Sequence, residues 1–307
     1  MKPIQKTAII GMGAIGILYG SRLLQNLGPD AVCYPVNADR LARFQASGIR
    51  CNGIDCPFQV VDEAQYAEPA DLVIFAVKAT ALDSAIETAR CVIGPDTTVI
   101  SMMNGISSEE ILGEAFGRER ILYAVALGMD AARKGSEVTY TQFGKTLLGI
   151  PASEPEKQER LEAVVDLFRR ADMPVEVSVD ILRQLWGKFM LNVGVNQITM
   201  IYEDSNRIFQ QPGEARELMI RAMSEIVELS QAEGTGLTKA DLDRYLSLAD
   251  SLPPAGLPSM RQDGMAHRKS EVELFSGTAV RLGKKHGLPV PANQEIYRRV
   301  LEMEAGY

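Results

Sequence analysis

Six residues near the start of the chain restrict its fold more than any other feature. Gly11-Met12-Gly13-Ala14-Ile15-Gly16 has the form G-x-G-x-x-G. It follows the short apolar run at residues 7–10 and opens the stretch 14–27, where Ile15, Leu18, Leu23, Leu24 and Leu27 fall at helical spacing. Strand, glycine turn and helix in that order are the context this motif needs. The first glycine makes the tight turn, the second lets a pyrophosphate approach the backbone, and the third lets the helix sit close to the strand. The helix start then offers free N–H groups to an anion. The turn is therefore expected to hold a dinucleotide through Gly11, Met12, Gly13, Ala14, Ile15 and Gly16. A structural glycine turn is the alternative.

The pattern behind the turn agrees. Residues 31–36 form a second apolar run, 38–46 suit a helix stopped by Gly48, and 71–77 (DLVIFAV) read as a strand buried on both faces. A helix at 79–91, an apolar strand at 98–102 and a helix from Ser108 follow. Such alternation predicts a parallel, doubly wound sheet. Between 121 and 150 short β-like runs at 138–141 and 146–150 are separated by Gly135 and Gly144, which suggests antiparallel additions at the sheet edge. A helix at 155–170 and a brief strand at 175–177 complete this half.

From about Asp180 the texture is helical. The expected helices are 181–201, 214–232 (ended by Gly234 and Gly236), 238–250 with Thr238 and Asp241 as a capping box, a long helical region after the 252–258 loop reaching Lys285, and 291–304. The fold class is thus α/β: an N-terminal Rossmann-like doubly wound parallel sheet followed by an all-helical C-terminal domain. The expected division is 1–178 for dinucleotide binding and 179–307 for substrate binding and dimerisation.

At the tip of the second strand an acid favours NAD and a basic residue favours NADP. The segment here is Pro35-Val36-Asn37-Ala38-Asp39-Arg40, so Asn37 is neutral and Asp39 and Arg40 point opposite ways. Lys78 and Asn104 each follow an apolar strand at its carboxyl end, where ligands of open α/β sheets sit. A surface lysine and an ordinary Asn-Gly turn are the competing readings.

Lys188, Asn192 and Asn196 recur every four residues on the long helix, so they stack on one slowly drifting face. Asparagine is a mediocre helix former, and two in one row invite a reason. Either the row is a solvated stripe, or it is a cation flanked by amides and aimed at a carbonyl and a carboxylate. Hydride arriving at a ketone carbon leaves charge on oxygen, which a protonated lysine stabilises and then neutralises. Ser259 precedes Gln262 by three, a helix-capping spacing that competes with a substrate role. Glu271, taken alone, reads as a solvated helix carboxylate.

Other chemistries find no support. The chain carries 32 Lys and Arg against 40 Asp and Glu, a net charge of −8, with no basic block, so nucleic acid is a poor partner. Cys33, Cys51, Cys56 and Cys91 are dispersed and, with only His267 and His286 beside them, make no metal pattern. They read as reduced thiols. No apolar run is long enough to span a membrane, and the N-terminus lacks the features of a signal peptide. The expected location is the cytoplasm.

Taken together, these residues resemble the ketopantoate reductase (2-dehydropantoate 2-reductase) family over nearly the whole chain. The resemblance is carried by Gly11, Gly13 and Gly16; Lys78 in FAVKAT; Asn104-Gly105; and Ala131-Ala132-Arg133-Lys134-Gly135. It continues in LWGKFMLN with Lys188 and Asn192, in Asn196, in Ser259-Met260-Arg261-Gln262-Asp263, and in SEVELFSG with Glu271 and Gly277. It implies an enzyme that reduces ketopantoate to pantoate with NADPH in pantothenate synthesis, in a site between two domains that can close. Lys188 would be the general acid. Glu271 would bind the hydroxyl region of the substrate and orient Lys188. Asn192, Asn196 and Ser259 would hold the substrate, with Asn104 and Lys78 lining the nicotinamide side. Asp263 would be structural, at a helix start. Family members that bind NADP usually carry an arginine where Asn37 stands; Arg40 is the replacement expected here, with NAD(H) as the other cofactor. The remaining readings are a reductase of another 2-oxo acid or ketone and a dinucleotide sensor without turnover. A homodimer is the expected assembly.

Overall fold

The structure, a computed structural model, describes residues 2–307. The chain divides into two compact units: residues 1–103 with 107–181, and residues 104–106 with 182–307.

The first unit is built on strands β1 (Thr7–Ile10), β2 (Val32–Val36), β3 (Arg50–Cys51), β4 (Ile54–Asp55), β5 (Gln59–Asp62), β6 (Leu72–Phe75), β7 (Thr98–Ser101), β8 (Ile121–Leu127), β9 (Ala132–Lys134), β10 (Glu137–Thr139), β11 (Lys145–Gly149) and β12 (Val175–Val177). Its helices are α1 (Ala14–Leu27), α2 (Ala38–Ser47), α3 (Leu82–Ala89), α4 (Ser108–Phe116) and α5 (Gln158–Arg170). The main sheet has the order β12-β11-β8-β7-β6-β1-β2-β5. All neighbours are parallel except β8 and β11. β1, β2, β6 and β7 are buried along their whole length, as continuous apolar strands between helical layers should be. The chain runs outward from β1 through β2 to β5, then returns to β6 on the other side of β1. Strand order reverses at β1, and the glycine turn leaves the carboxyl end of that strand. This is the switch point at which such sheets bind ligands.

Two expectations are corrected here. The run at 146–150 does join the main sheet antiparallel to β8, but β12 lies outside it and forms the edge. The run at 138–141 belongs instead to a separate four-stranded sheet, β4-β3-β10-β9. Its strands have two or three residues each, too few for a period-2 pattern to register.

The second unit packs around α6 (Ile181–Ile201). Phe189, Met190, Val193, Ile198 and Met200 are buried on all sides of this helix, which therefore runs through a core instead of lying on a surface. Around it are α7 (Arg207–Gln210), α8 (Glu214–Ala232), α9 (Lys239–Ser251), α10 (Ser259–Met265), α11 (Thr278–His286) and α12 (Pro291–Glu304). A Cβ on Gly187 would lie 2.3 Å from the Tyr245 hydroxyl, and one on Gly194 would lie 2.7 Å from the Met223 sulfur, so both glycines permit close helix approach. Leu218, Met219, Ala222, Met223, Ile226 and Leu229 form the buried stripe of α8. Thr238 and Asp241 make the expected capping box. The long helical region expected up to Lys285 consists of separate pieces: α10 ends at Met265, and a π-helical turn (Glu273–Gly277) precedes α11.

Candidate active site

The glycine turn is shaped by steric need. Gly11 has φ +112°, and a Cβ there would come within 2.6 Å of the Ala76 carbonyl oxygen. A Cβ on Gly16 would fall 1.9 Å from the Gly11 carbonyl oxygen. Gly13 caps α1 without any side-chain hydrogen bond, the first turn of α1 holds no acid, and the space beside Gly13 is open except for the Ala76 oxygen at 3.7 Å. Unclaimed N–H groups beside open space, with no competing carboxylate, fit a pyrophosphate.

At the tip of β2, Asn37 is the N-cap of α2, and its Oδ1 accepts the Arg40 N–H at 3.0 Å. The side chain is thus engaged with its own helix. The Arg40 side chain is exposed, as is Lys78, which precedes the short 3-10 turn Ala79–Ala81. Two arginines given no individual role from sequence lie nearby. Arg133 donates through Nη1 to the Met12 carbonyl and through Nε to the Gly135 carbonyl at 2.9 Å. Its guanidinium and that of Arg43 face the Phe44 ring, at 5.6 and 5.0 Å from the centroid.

In the second unit the row on α6 is not a solvated stripe. Lys188 and Asn192 are half-buried and Asn196 is buried. Neighbours fix the rotation of the helix: Gly187 lies against Tyr245, and the Phe189 ring packs on Phe275 at 6.5 Å. Asn196 Nδ2 donates to Asn192 Oδ1 at 3.1 Å, and the Ser259 hydroxyl donates to Asn196 Oδ1 at 3.1 Å. Ser259 is therefore not a helix cap, the reading that competed with its substrate role. Pro258 occupies the N-cap and Ser259 is the first helical residue, which leaves its hydroxyl for α6.

Asn104, Gly105 and Ile106 cluster with this unit, although Met103 before them and Ser107 after them belong to the first. Its Nδ2 donates to Glu271 Oε2 at 3.2 Å. Gly105 has φ +90°, and a Cβ there would sit 2.6 Å from Leu274 Cδ1. The Asn-Gly pair thus lets the backbone pass close over the segment that carries Glu271.

That segment is held by a residue with no sequence signal. Gln197 is fully buried; its Oε1 accepts the Ser276 N–H at 3.2 Å, while its Nε2 donates to the Val193 carbonyl at 2.9 Å. The Ser276 N–H is thereby diverted from the helix, and the Gly277 N–H reaches back five residues to the Val272 carbonyl. This is the widened π turn, a feature frequent at functional sites. Asp263 is buried and bonded to Arg268 at 2.9 Å. This pair braces the end of α10. Among the described residues no three metal-ligating side chains converge, and no helix is long and apolar enough to cross a membrane.

Two family models cover most of the chain. Residues 7–153 match ketopantoate reductase PanE/ApbA, and residues 180–304 match the ketopantoate reductase PanE/ApbA C terminal. The chain belongs to the ketopantoate reductase family.

It is thus an oxidoreductase. It is 26% identical to the 2-dehydropantoate 2-reductase of Pyrococcus abyssi, covering 98% of each chain. It is 27% identical to that of Vibrio cholerae over 78% of this chain and 79% of the relative. Among solved structures, a D-mandelate dehydrogenase in complex with NADH and anilino(oxo)acetate superposes with TM-score 0.87 at 22% identity over 98% and 99% of the chains. A PanE/ApbA family ketopantoate reductase from Ralstonia eutropha gives TM-score 0.84 at 24% identity over the same shares. These two structures share the fold.

Proposed function

We propose that this family member reduces 2-dehydropantoate to pantoate with NADPH, a step of pantothenate synthesis. The observation that carries the reading is the polar set in the second unit: a half-buried lysine in register with two asparagines on a core helix, with Ser259 tied to one of them and Glu271 tied to Asn104.

The roles follow from the chemistry of the groups. Asn192, Asn196 and Ser259 offer amide and hydroxyl donors to the substrate carboxylate and carbonyl. Glu271, an acceptor held by Asn104, suits the substrate hydroxyl and also turns the Lys188 ammonium toward the keto oxygen. Lys188 stabilises the charge that develops there and delivers the proton, so that ketone plus hydride plus proton gives the alcohol. The reduced nicotinamide, when bound, supplies the hydride to the carbonyl carbon. Gly11, Met12, Gly13, Ala14, Ile15 and Gly16 would hold its pyrophosphate, with Asn37, Arg40, Lys78 and Asn104 as further cofactor contacts. The first unit would be the dinucleotide-binding domain, and the second the substrate and dimerisation domain.

The test is loss of reduced-nicotinamide absorbance when the purified protein meets ketopantoate with NADPH or with NADH. Fast loss with ketopantoate and NADPH is expected. Turnover of an aryl 2-oxo acid with none of ketopantoate would move the assignment to another 2-oxo acid. Tight dinucleotide binding with no oxidation across a 2-oxo acid panel would leave a sensor.

A further inference from the structure

Preference for NADPH over NADH needs a cation for the 2′-phosphate, and the place usual for it, at the tip of β2, holds neutral Asn37. The oxygen of Asn37 is already spent on the Arg40 N–H. We propose that Arg43 and Arg133 clamp the 2′-phosphate of NADPH instead, making the chain NADPH-selective without an arginine at the strand tip. This rests on the dinucleotide reading above and extends it to which residues read the ribose.

Three observations in the first unit converge. Arg133 reaches across from β9 to the carbonyl of Met12, the second residue of the glycine turn, so its guanidinium lies beside the proposed pyrophosphate site. Arg43 comes from α2, the helix capped by Asn37, and sits three residues beyond Arg40, on the same side of the helix. Both guanidinium groups share the ring of Phe44, which is buried and fixes them near one another.

Among the described residues no carboxylate forms an ion pair with either member of this pair. Arg22, Arg50, Arg90 and Arg170 of the same unit each face a carboxylate. Among the described residues Arg43 and Arg133 face none. Burial, and then the charge of Arg43, depress the pKa of Arg133, as expected for two cations held together. A phosphate dianion would relieve that repulsion, and guanidinium groups match its oxygens geometrically. The competing role for Arg133 is a brace between the β9–β10 hairpin and the glycine turn. That role does not explain Arg43, whose side chain makes no hydrogen bond in the described structure.

The experiment is direct titration of the full chain with NADPH and with NADH, without substrate, for the wild type, Arg43→Gln and Arg133→Gln. The expected result is tighter NADPH binding by the wild type. Each variant should lose roughly 10- to 100-fold in NADPH affinity, the range for a charge-assisted contact, with NADH affinity nearly unchanged. Arg43 is exposed, so its variant tests the clamp without disturbing the core. Equal wild-type affinities for the two dinucleotides, or Arg43→Gln binding NADPH like the wild type, would overturn the clamp while leaving the dinucleotide reading intact. An equal loss for both dinucleotides in Arg133→Gln would make that residue a brace and overturn its part in the clamp. Wild-type protein that binds neither would overturn the dinucleotide reading itself.

Discussion

The glycine turn of the first unit is one unbroken run of six residues, whereas the polar set of the second is gathered from around residues 104, 188–196, 259 and 271. The turn is a backbone feature: missing side chains let Gly11 and Gly16 approach neighbouring carbonyls, Gly13 borders open space, and the helix start offers its N–H groups. The polar set works through side chains, and each is placed by something else. Gly105 passes Leu274 so that Asn104 meets Glu271, and Gln197 takes the Ser276 N–H so that the segment after Glu271 widens. A backbone site can be written locally in sequence. A side-chain site must be assembled by the fold.

This contrast can be broken by variants that damage one unit and spare the other. Lys188→Ala carries the largest expected effect: kcat falls on the order of 100-fold or more, the scale for a general acid, while NADPH affinity measured by titration stays put. A variant with near-normal kcat would remove Lys188 from that role. Gly16→Ala should do the reverse. Its Cβ would overlap the Gly11 carbonyl, so the first unit should lose about 1–3 kcal/mol together with NADPH affinity. The fluorescence of the single tryptophan, Trp186 on α6, should be unchanged.

Acid should act on the second unit. Burial works against the charge on Asp241, but the hydrogen bonds from Arg183 (2.5 Å) and Thr238 (2.8 Å) outweigh it and hold the carboxyl down to about 2. Because this lies below the ordinary value of about 3.9, the stabilisation is complete above pH 4 and is lost as pH falls toward 2. The loss is on the order of 2 kcal/mol. Trp186 fluorescence followed through acid titration should show it, and Asp241→Asn should flatten that part of the curve. The smallest effect is expected from Ser259→Ala, which removes one hydrogen bond to Asn196. KM for the 2-oxo acid should rise by about 1 kcal/mol, or roughly 5-fold, with NADPH affinity unaltered.

The same contrast accounts for what was legible in the sequence. The doubly wound sheet, the helical second half and the family were readable because they rest on long periodic segments and on one contiguous motif. The helix at 181–201 and the Thr238–Asp241 capping box appear where the pattern placed them. The four-stranded sheet was not legible, because strands of two or three residues carry no period. Nor was the π turn before α11, where the diverted Ser276 N–H depends on Gln197, seventy-nine residues away. For Ser259 the sequence left two readings open, a helix cap and a substrate contact, for a related reason. Its spacing to Gln262 is that of a capping box, yet Pro258 holds the cap and the hydroxyl answers to Asn196 on a distant helix. Arg43 and Arg133 meet only through Phe44, so no local pattern joins them.

The central claim is that a hydride reaches the carbonyl carbon of a 2-oxo acid on this protein. The direct measurement uses NADPH deuterated at the transferable position of the nicotinamide, with ketopantoate as substrate and mass spectrometry of the product. The account expects pantoate carrying one deuterium on the former carbonyl carbon, formed at a rate that collapses in Lys188→Ala. Recovery of unreacted ketopantoate, or pantoate without deuterium, would contradict it.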